Sequence, residues 1–98
     1  MRVGDLELDP MRRTVSRDGQ GLDLTALEYR LLEYLVYRAG EVVPRMDIWE
    51  RVFEDGSGGN SNAVDVYIGY LRKKLNAGGG PDLIHTRRGQ GYILEDSP

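Results

Sequence analysis

The spacing of hydrophobic and polar positions changes several times along the chain, and each change marks an element. "DLELDP", residues 5–10, alternates apolar and charged side chains and halts at Pro10, the period-two pattern of a half-buried strand. "RTV" and "LDL" read as two further short strands around a turn at "RDGQG", in which Asp18-Gly19 is a usable hairpin dipeptide. A small antiparallel sheet is expected over about residues 3–24. The period then lengthens. In "LTALEYRLLEYLVYRAG", Leu27, Leu31, Leu32, Leu35, Val36 and Ala39 recur at helical spacing. Thr25 and Glu28 have the Thr-x-x-Glu spacing of a capping box, Leu24 and Tyr29 that of a hydrophobic staple. Gly40 suits the C′ position that follows a helix.

"EVV" is a brief β-branched run closed by Pro44, which predicts a short strand. A second helix is expected from about Arg45, with Pro44 as a usable first helical residue and Met46, Ile48, Trp49, Val52 and Phe53 as its apolar members. "EDGSGGNS" cannot continue a helix. A third helix opens at Asn62, whose spacing to Asp65 resembles a capping box, and carries Val64, Ile68, Leu71 and Leu75 on one stripe. "NAGGGP" breaks it, and "DLIHTR", a turn at "RGQG" and "YIL" predict a β-hairpin with glycines where a turn needs positive φ. The expected fold is α+β, a winged helix-turn-helix. It has an N-terminal antiparallel sheet, three helices and a C-terminal hairpin wing. The expected organisation is one domain over residues 1–98, with the helical core and wing over about 25–95.

Composition adds limits. A chain of 98 residues suits one compact domain. No run approaches the roughly 20 apolar residues of a membrane helix, so no membrane partner is expected. The cysteine count is zero, which excludes disulfide and thiol chemistry and fits a reducing, cytoplasmic setting. The net charge of −3 argues against a nucleic-acid partner, but its distribution argues the other way. Residues 1–60 hold 8 Arg against 12 Asp or Glu. Residues 61–94 hold Arg72, Lys73, Lys74, Arg87 and Arg88 against only Asp65 and Asp82. A local basic field attracts polyanions even on an acidic protein.

Catalytic chemistry has little support. The single histidine, His85, falls on an expected strand, and a lone histidine is more often structural than catalytic. The sequence contains no zinc-type Cys/His spacing, no phosphate-binding P-loop and no nucleophile elbow. No enzyme activity, cofactor or metal is expected. The third helix is more informative. With its stripe on the core, Asn62, Val66, Gly69 and Lys73 face away, Ala63 and Tyr70 lie beside them, and Arg72 and Lys74 flank them. Such a strip suits a helix in a DNA major groove. An amphipathic surface helix with cations in its last turn, favoured by the helix dipole, accounts for it equally well. Arg87 and Arg88, just before the wing's glycine turn, favour nucleic acid, because an arginine on a β-tip suits the negative minor groove.

Four ordered blocks now carry a resemblance. "LTALEYRLLEYL", "AGEVVPRMDIWERVF", "VDVYIGYLRKKL" and "LIHTRRGQGYIL" resemble successive segments of the OmpR/PhoB-type winged-helix effector domain of bacterial two-component response regulators, from about Leu6 to Leu94. The resemblance implies sequence-specific binding of double-stranded promoter DNA in transcriptional regulation. It implies groove-facing positions at Asn62, Ala63, Val66, Gly69 and Tyr70, backbone contacts by Arg72, Thr86 and Tyr92, a wing arginine at Arg88, and a phosphate contact by Arg45. Lys73 and Arg87 would add non-specific affinity, and the Asn62 amide would suit adenine. The loop Glu54, Asp55, Gly56, Ser57, Gly58, Gly59 and Asn60 falls where family members touch RNA polymerase.

Family members also carry a receiver domain, which the chain does not include, and bind as head-to-tail dimers on DNA. The isolated domain is expected to be monomeric. Departures from the family pattern are Pro44 in place of a Ser or Thr helix cap, Phe53 for a Trp, Tyr67 for a His, Gly69 and Tyr70 where Arg is frequent, and Arg87 for a Val. Two other readings are a winged-helix module for protein contacts and the DNA-binding domain of a membrane-anchored activator.

Overall fold

A computed structural model describes residues 1–53 and 61–96. The chain opens with a four-stranded antiparallel meander: β1 (Arg2–Val3), β2 (Leu6–Asp9), β3 (Thr14–Arg17) and β4 (Gln20–Leu22), paired in sequence order. Both tight connections follow from single residues. Gly4 takes φ +59° at the first central position between β1 and β2, where a type II′ turn needs glycine. Asp18 (φ +51°) and Gly19 (φ +80°) both turn left-handed, as a type I′ turn requires. The hairpin is therefore tighter than the "RDGQG" turn expected from sequence: β3 runs through Arg17 and β4 starts at Gln20. Asp23 and Leu24 fall outside the strand, and β1 was not expected at all.

Three helices follow: α1 (Ala26–Tyr37), α2 (Arg45–Val52) and α3 (Asn62–Leu75). The capping box of α1 forms in full. The Thr25 hydroxyl accepts from the Glu28 amide at 3.2 Å, and the Glu28 carboxylate accepts from the Thr25 amide at 2.9 Å. The helix ends sooner than its pattern suggests. Arg38 is the C-cap, Ala39 is exposed, and Gly40 (φ +85°) turns the chain two residues past the cap.

The other two helix starts differ from expectation. Pro44 is the N-cap of α2 rather than its first helical residue, and it offers no side-chain bond. Asp47 in that first turn accepts instead from the Tyr34 hydroxyl (2.9 Å) and from Arg38. Asn62 is already helical behind Ser61, so the expected Asn-x-x-Asp cap does not form. Its carbonyl oxygen is held by the Arg45 guanidinium at 3.0 Å. Tertiary partners outcompete the local cap at both sites.

The helices and sheet close over one core. Leu31, Leu32, Leu35, Ile48, Val64, Ile68, Leu71 and Leu75 are buried in it with Leu6 and Leu8 of the sheet. Of the expected apolar members of α2, Ile48 and Val52 are buried, whereas Met46 is exposed. The wing is β5 (Ile84–Arg87) paired with β6 (Gly91–Leu94). Of "EVV", only Val43 pairs. It forms a bridge to Tyr92, with Val43 N–H donating to Tyr92 O at 2.7 Å and Tyr92 N–H donating to Val43 O at 3.0 Å. That bridge joins the wing to the connection between α1 and α2.

Candidate nucleic-acid interface

Three elements border one open groove of about 580 Å³: the start of α2, the start of α3 and the wing, with Arg45, Asp65, Thr86 and Tyr92 among its walls. Asp65 organises it. Its carboxylate accepts from the Tyr92 hydroxyl and lies 3.4 Å from the Arg45 guanidinium, which also reaches Asn62. Burial, then the Asp65 hydrogen bond and charge, push the Tyr92 phenol up to about 12. Tyr92 therefore stays a neutral donor to Asp65. Arg72 places its guanidinium over the Tyr92 ring, 5.6 Å from the centroid. Arg72 also donates to Ile84 O at 3.1 Å and to the Thr86 hydroxyl at 2.7 Å. Sequence reasoning singled out Arg45, Arg72, Thr86 and Tyr92 separately. The structure joins them into one network that fixes the wing against α3.

The outer face of α3 is as the spacing predicts. Val66 and Tyr70 are 50% and 52% exposed, and Asn62, Gly69 and Lys73 also face solvent. Ala63 is the exception: it packs partly against the core. Tyr70 is held by an edge-on contact with Tyr67, ring centroids 5.4 Å apart. Tyr67 meets Phe53 at 5.5 Å, and Phe53 stacks on Trp49 at 5.2 Å. Two aromatic departures from the family pattern, Phe53 and Tyr67, thus form a run that supports a third, the exposed Tyr70.

The five cations of this region separate by geometry. Lys74 turns away to α1, where it donates to Asp23 O at 2.9 Å and to the buried Glu28 carboxylate at 2.6 Å. Arg72 is engaged as above, and Arg87 leans toward Glu95 at 3.6 Å. Lys73 and Arg88 have no hydrogen-bond or ion-pair partner among the described residues. Arg88 sits at the wing tip beside Gly89 (φ +73°), so the expectation that at least one arginine projects there rests on Arg88.

The Glu28–Lys74 tie carries a pH dependence. Burial alone raises the Glu28 pKa, but hydrogen bonds from Lys74 and Thr25 and the Lys74 charge outweigh it, leaving the carboxyl below its usual 4.5. A carboxylate whose pKa is lowered on folding stabilises above its unfolded pKa, and that stabilisation is lost as pH falls through the folded value. Stability is therefore expected to fall below about pH 4.5, and to fall less steeply in Glu28→Gln. Glutamine keeps the capping acceptor but not the charge. Urea midpoints between pH 3 and 7, compared for the two proteins, check this; parallel profiles would exclude Glu28 from the acid response.

Sequence reasoning missed two residues that hold the interface in place. Asp65 has the spacing of a cap and was expected to serve as one. Arg17 went unnoticed, although period-two alternation puts it on the buried face of β3 with Val15, where a cation needs partners. It is 6% exposed. Its guanidinium donates to Asp5 (2.9 Å), to Leu75 O at the end of α3 (2.9 Å), to Asn76 (3.3 Å) and to Pro81 O. His85 has a buried Nε2 without a partner, and no group of His, Cys, Asp and Glu suited to a metal occurs among the described residues. No described helix is long and apolar enough to cross a membrane.

The family model described as "Transcriptional regulatory protein, C terminal" matches residues 19–94, more than half of the chain. The chain belongs to this family. The family regulates transcription and is not a class of enzymes. Response regulator MprA of Mycobacterium bovis is 45% identical over all 98 residues, which correspond to 43% of that protein. The chain thus spans less than half the length of such relatives. Among solved structures, the effector-domain fold superimposes on the DNA-binding domain of response regulator AdeR, solved in complex with an intercistronic region. The TM-score is 0.89 at 25% identity, covering 99% of this chain and all of that one. It also matches the Klebsiella pneumoniae RstA DNA-binding domain, solved in complex with the RstA box. There the TM-score is 0.83 at 32% identity, covering 97% and 95% of the two chains. These winged-helix relatives bear out the expected fold class and family.

Proposed function

We propose that the chain is the sequence-specific DNA-binding effector domain of a two-component response regulator that acts on promoter DNA in the cytoplasm. The observation that carries this reading is the shared groove at which the start of α3 and the wing meet, with Arg88 at the tip unpaired among the described residues. In this reading α3 enters the major groove and the wing follows the adjacent minor groove. Lys73, Arg88 and the looser Arg87 meet phosphates or the minor groove, and Val66, Gly69, Tyr70 and Asn62 face base edges. Ala63, half-buried, lies at the rim. Arg45 reaches phosphate only by leaving or sharing its contacts with Asn62 and Asp65. Arg72, Thr86 and Tyr92 act as a set: their own network holds the wing in register, and their outer edges meet the DNA backbone.

In the full-length protein a receiver domain controls this domain, and two copies bind head to tail on direct repeats. RNA polymerase is the further partner. The loop assigned to it, residues 54–60, lies outside the described residues. The test is a salt titration of affinity on a selected duplex. Arg88→Ala is expected to weaken binding and to lower the slope of log K against log salt by about 1, as the loss of one phosphate contact requires. An unchanged slope removes Arg88 from the contact set. No measurable affinity for any duplex would favour the protein-contact module instead.

A further inference from the structure

Nothing among the described residues requires glycine at position 69. It lies mid-helix, where glycine disfavours the helix by about 1 kcal/mol relative to alanine. Its φ is not left-handed, and a Cβ built on it meets nothing within 4 Å among the described residues. Neither strain nor packing against the described residues calls for it, which leaves the space open to a partner on the outer face of α3. Its neighbours indicate what that is. Val66 lies one turn earlier on the same face, and Tyr70 is four residues from Val66, so their side chains adjoin. Helical side chains lean toward the N-terminus, which brings the Tyr70 ring over the turn that holds Val66. The Tyr67 edge contact restrains that ring. Gly69 thus leaves an open recess in the outward strip, beside the exposed side chains of Val66 and Tyr70. Lys73, unpaired among the described residues, stands one turn further along the same strip.

We infer that this recess reads thymine through its 5-methyl group. The inference rests on the placement of α3 in the major groove and deepens it. Among the major-groove edges of the four bases, only thymine presents an apolar group. The side chains beside the recess, Val66 and Tyr70, are exposed and largely apolar, and Gly69 leaves room for a close approach. Lys73 beside it offers a phosphate contact that would fix the register. A long polar side chain at position 69 or 70 would read a purine instead. The chain has none there, so the recognition strip is built for a pyrimidine methyl group at this position, with any polar readout left to Asn62 near the start of α3.

The test changes one methyl group at a time. Bound duplexes are first selected from a random pool, and each thymine of the selected site is then replaced by uracil, which keeps every hydrogen-bonding group and loses only the methyl. One position, or two adjacent ones, is expected to lose about four-fold in affinity, the effect of leaving one methyl unburied. Gly69→Ala fills the recess. It is expected to raise Tm by about 4–8 °C through helix propensity, while lowering affinity for the thymine site and abolishing the thymine-over-uracil preference. A more stable protein that binds less selectively is a result that a purely structural role for Gly69 does not give. The inference is overturned if every thymine tolerates uracil, or if Gly69→Ala keeps the full preference. A pool that yields no bound sequence would instead remove the groove placement of α3, and the recess with it.

Discussion

Gly91→Ala is expected to destabilise the domain by about 3–5 kcal/mol, combining a strained backbone with overpacking. Gly91 opens β6 at φ +138°, a conformation closed to residues with a side chain. Its Cβ would also fall 2.1 Å from Val43 O and 2.8 Å from the Pro44 Cα. These are backbone atoms on the connection between α1 and α2, so no rotamer change relieves the clash. Relief requires breaking the Val43–Tyr92 bridge, and with it the two hydrogen bonds that seat the wing. Thermal unfolding should show Tm reduced by more than about 10 °C. DNA affinity should fall along with it, because the Tyr92 ring that meets Arg72 and Asp65 belongs to the same strand. A loss below about 0.5 kcal/mol, within the usual range of a surface change, would show that the bridge shifts without resistance.

Arg17→Met has the second largest expected effect, about 3 kcal/mol, at the lower end for the removal of one buried partner. It is at the lower end because Asp5, the acid it leaves behind, is partly exposed and stays hydrated. The rest of the loss is local to α3. Leu75 O and Pro81 O lose their donor, and both belong to the segment that ends the helix and leads to the wing. Arg17→Lys should recover little, since one ammonium cannot reach acceptors on three sides as a planar fork does. Urea midpoints of the two variants provide the comparison. Equal and small losses for both would mean that the sheet contributes nothing to holding the end of α3.

These two residues also show where sequence reasoning runs out. Elements fixed by neighbours in the chain were legible: the Thr25–Glu28 capping box, the stripe of Val64, Ile68, Leu71 and Leu75, and the Asp18-Gly19 hairpin each need only a few adjacent residues to form. So was the outward strip of α3, which follows once the stripe is placed. Partners far along the chain were not legible. Arg17 finds Leu75 and Pro81 across 58 and 64 positions, and no local pattern announces such a pairing. The same competition moved the caps. Asn62 and Asp65 have the residue types of a helix start, but Arg45 and Tyr92 occupy them. Lys74 counted toward the basic field of α3, yet burial of Glu28 draws it to the opposite side. The strand β1, two residues long, carries too few positions to show any alternation.

The Val43–Tyr92 bridge has one more consequence, for the thermodynamics of association. Because the wing hydrogen-bonds to the link between α1 and α2, it is already seated on the helices before any partner arrives. Little conformational entropy is then surrendered at the wing on contact, and more of the interaction energy appears as affinity. The heat-capacity change of binding should accordingly carry no contribution from a wing that folds as it binds.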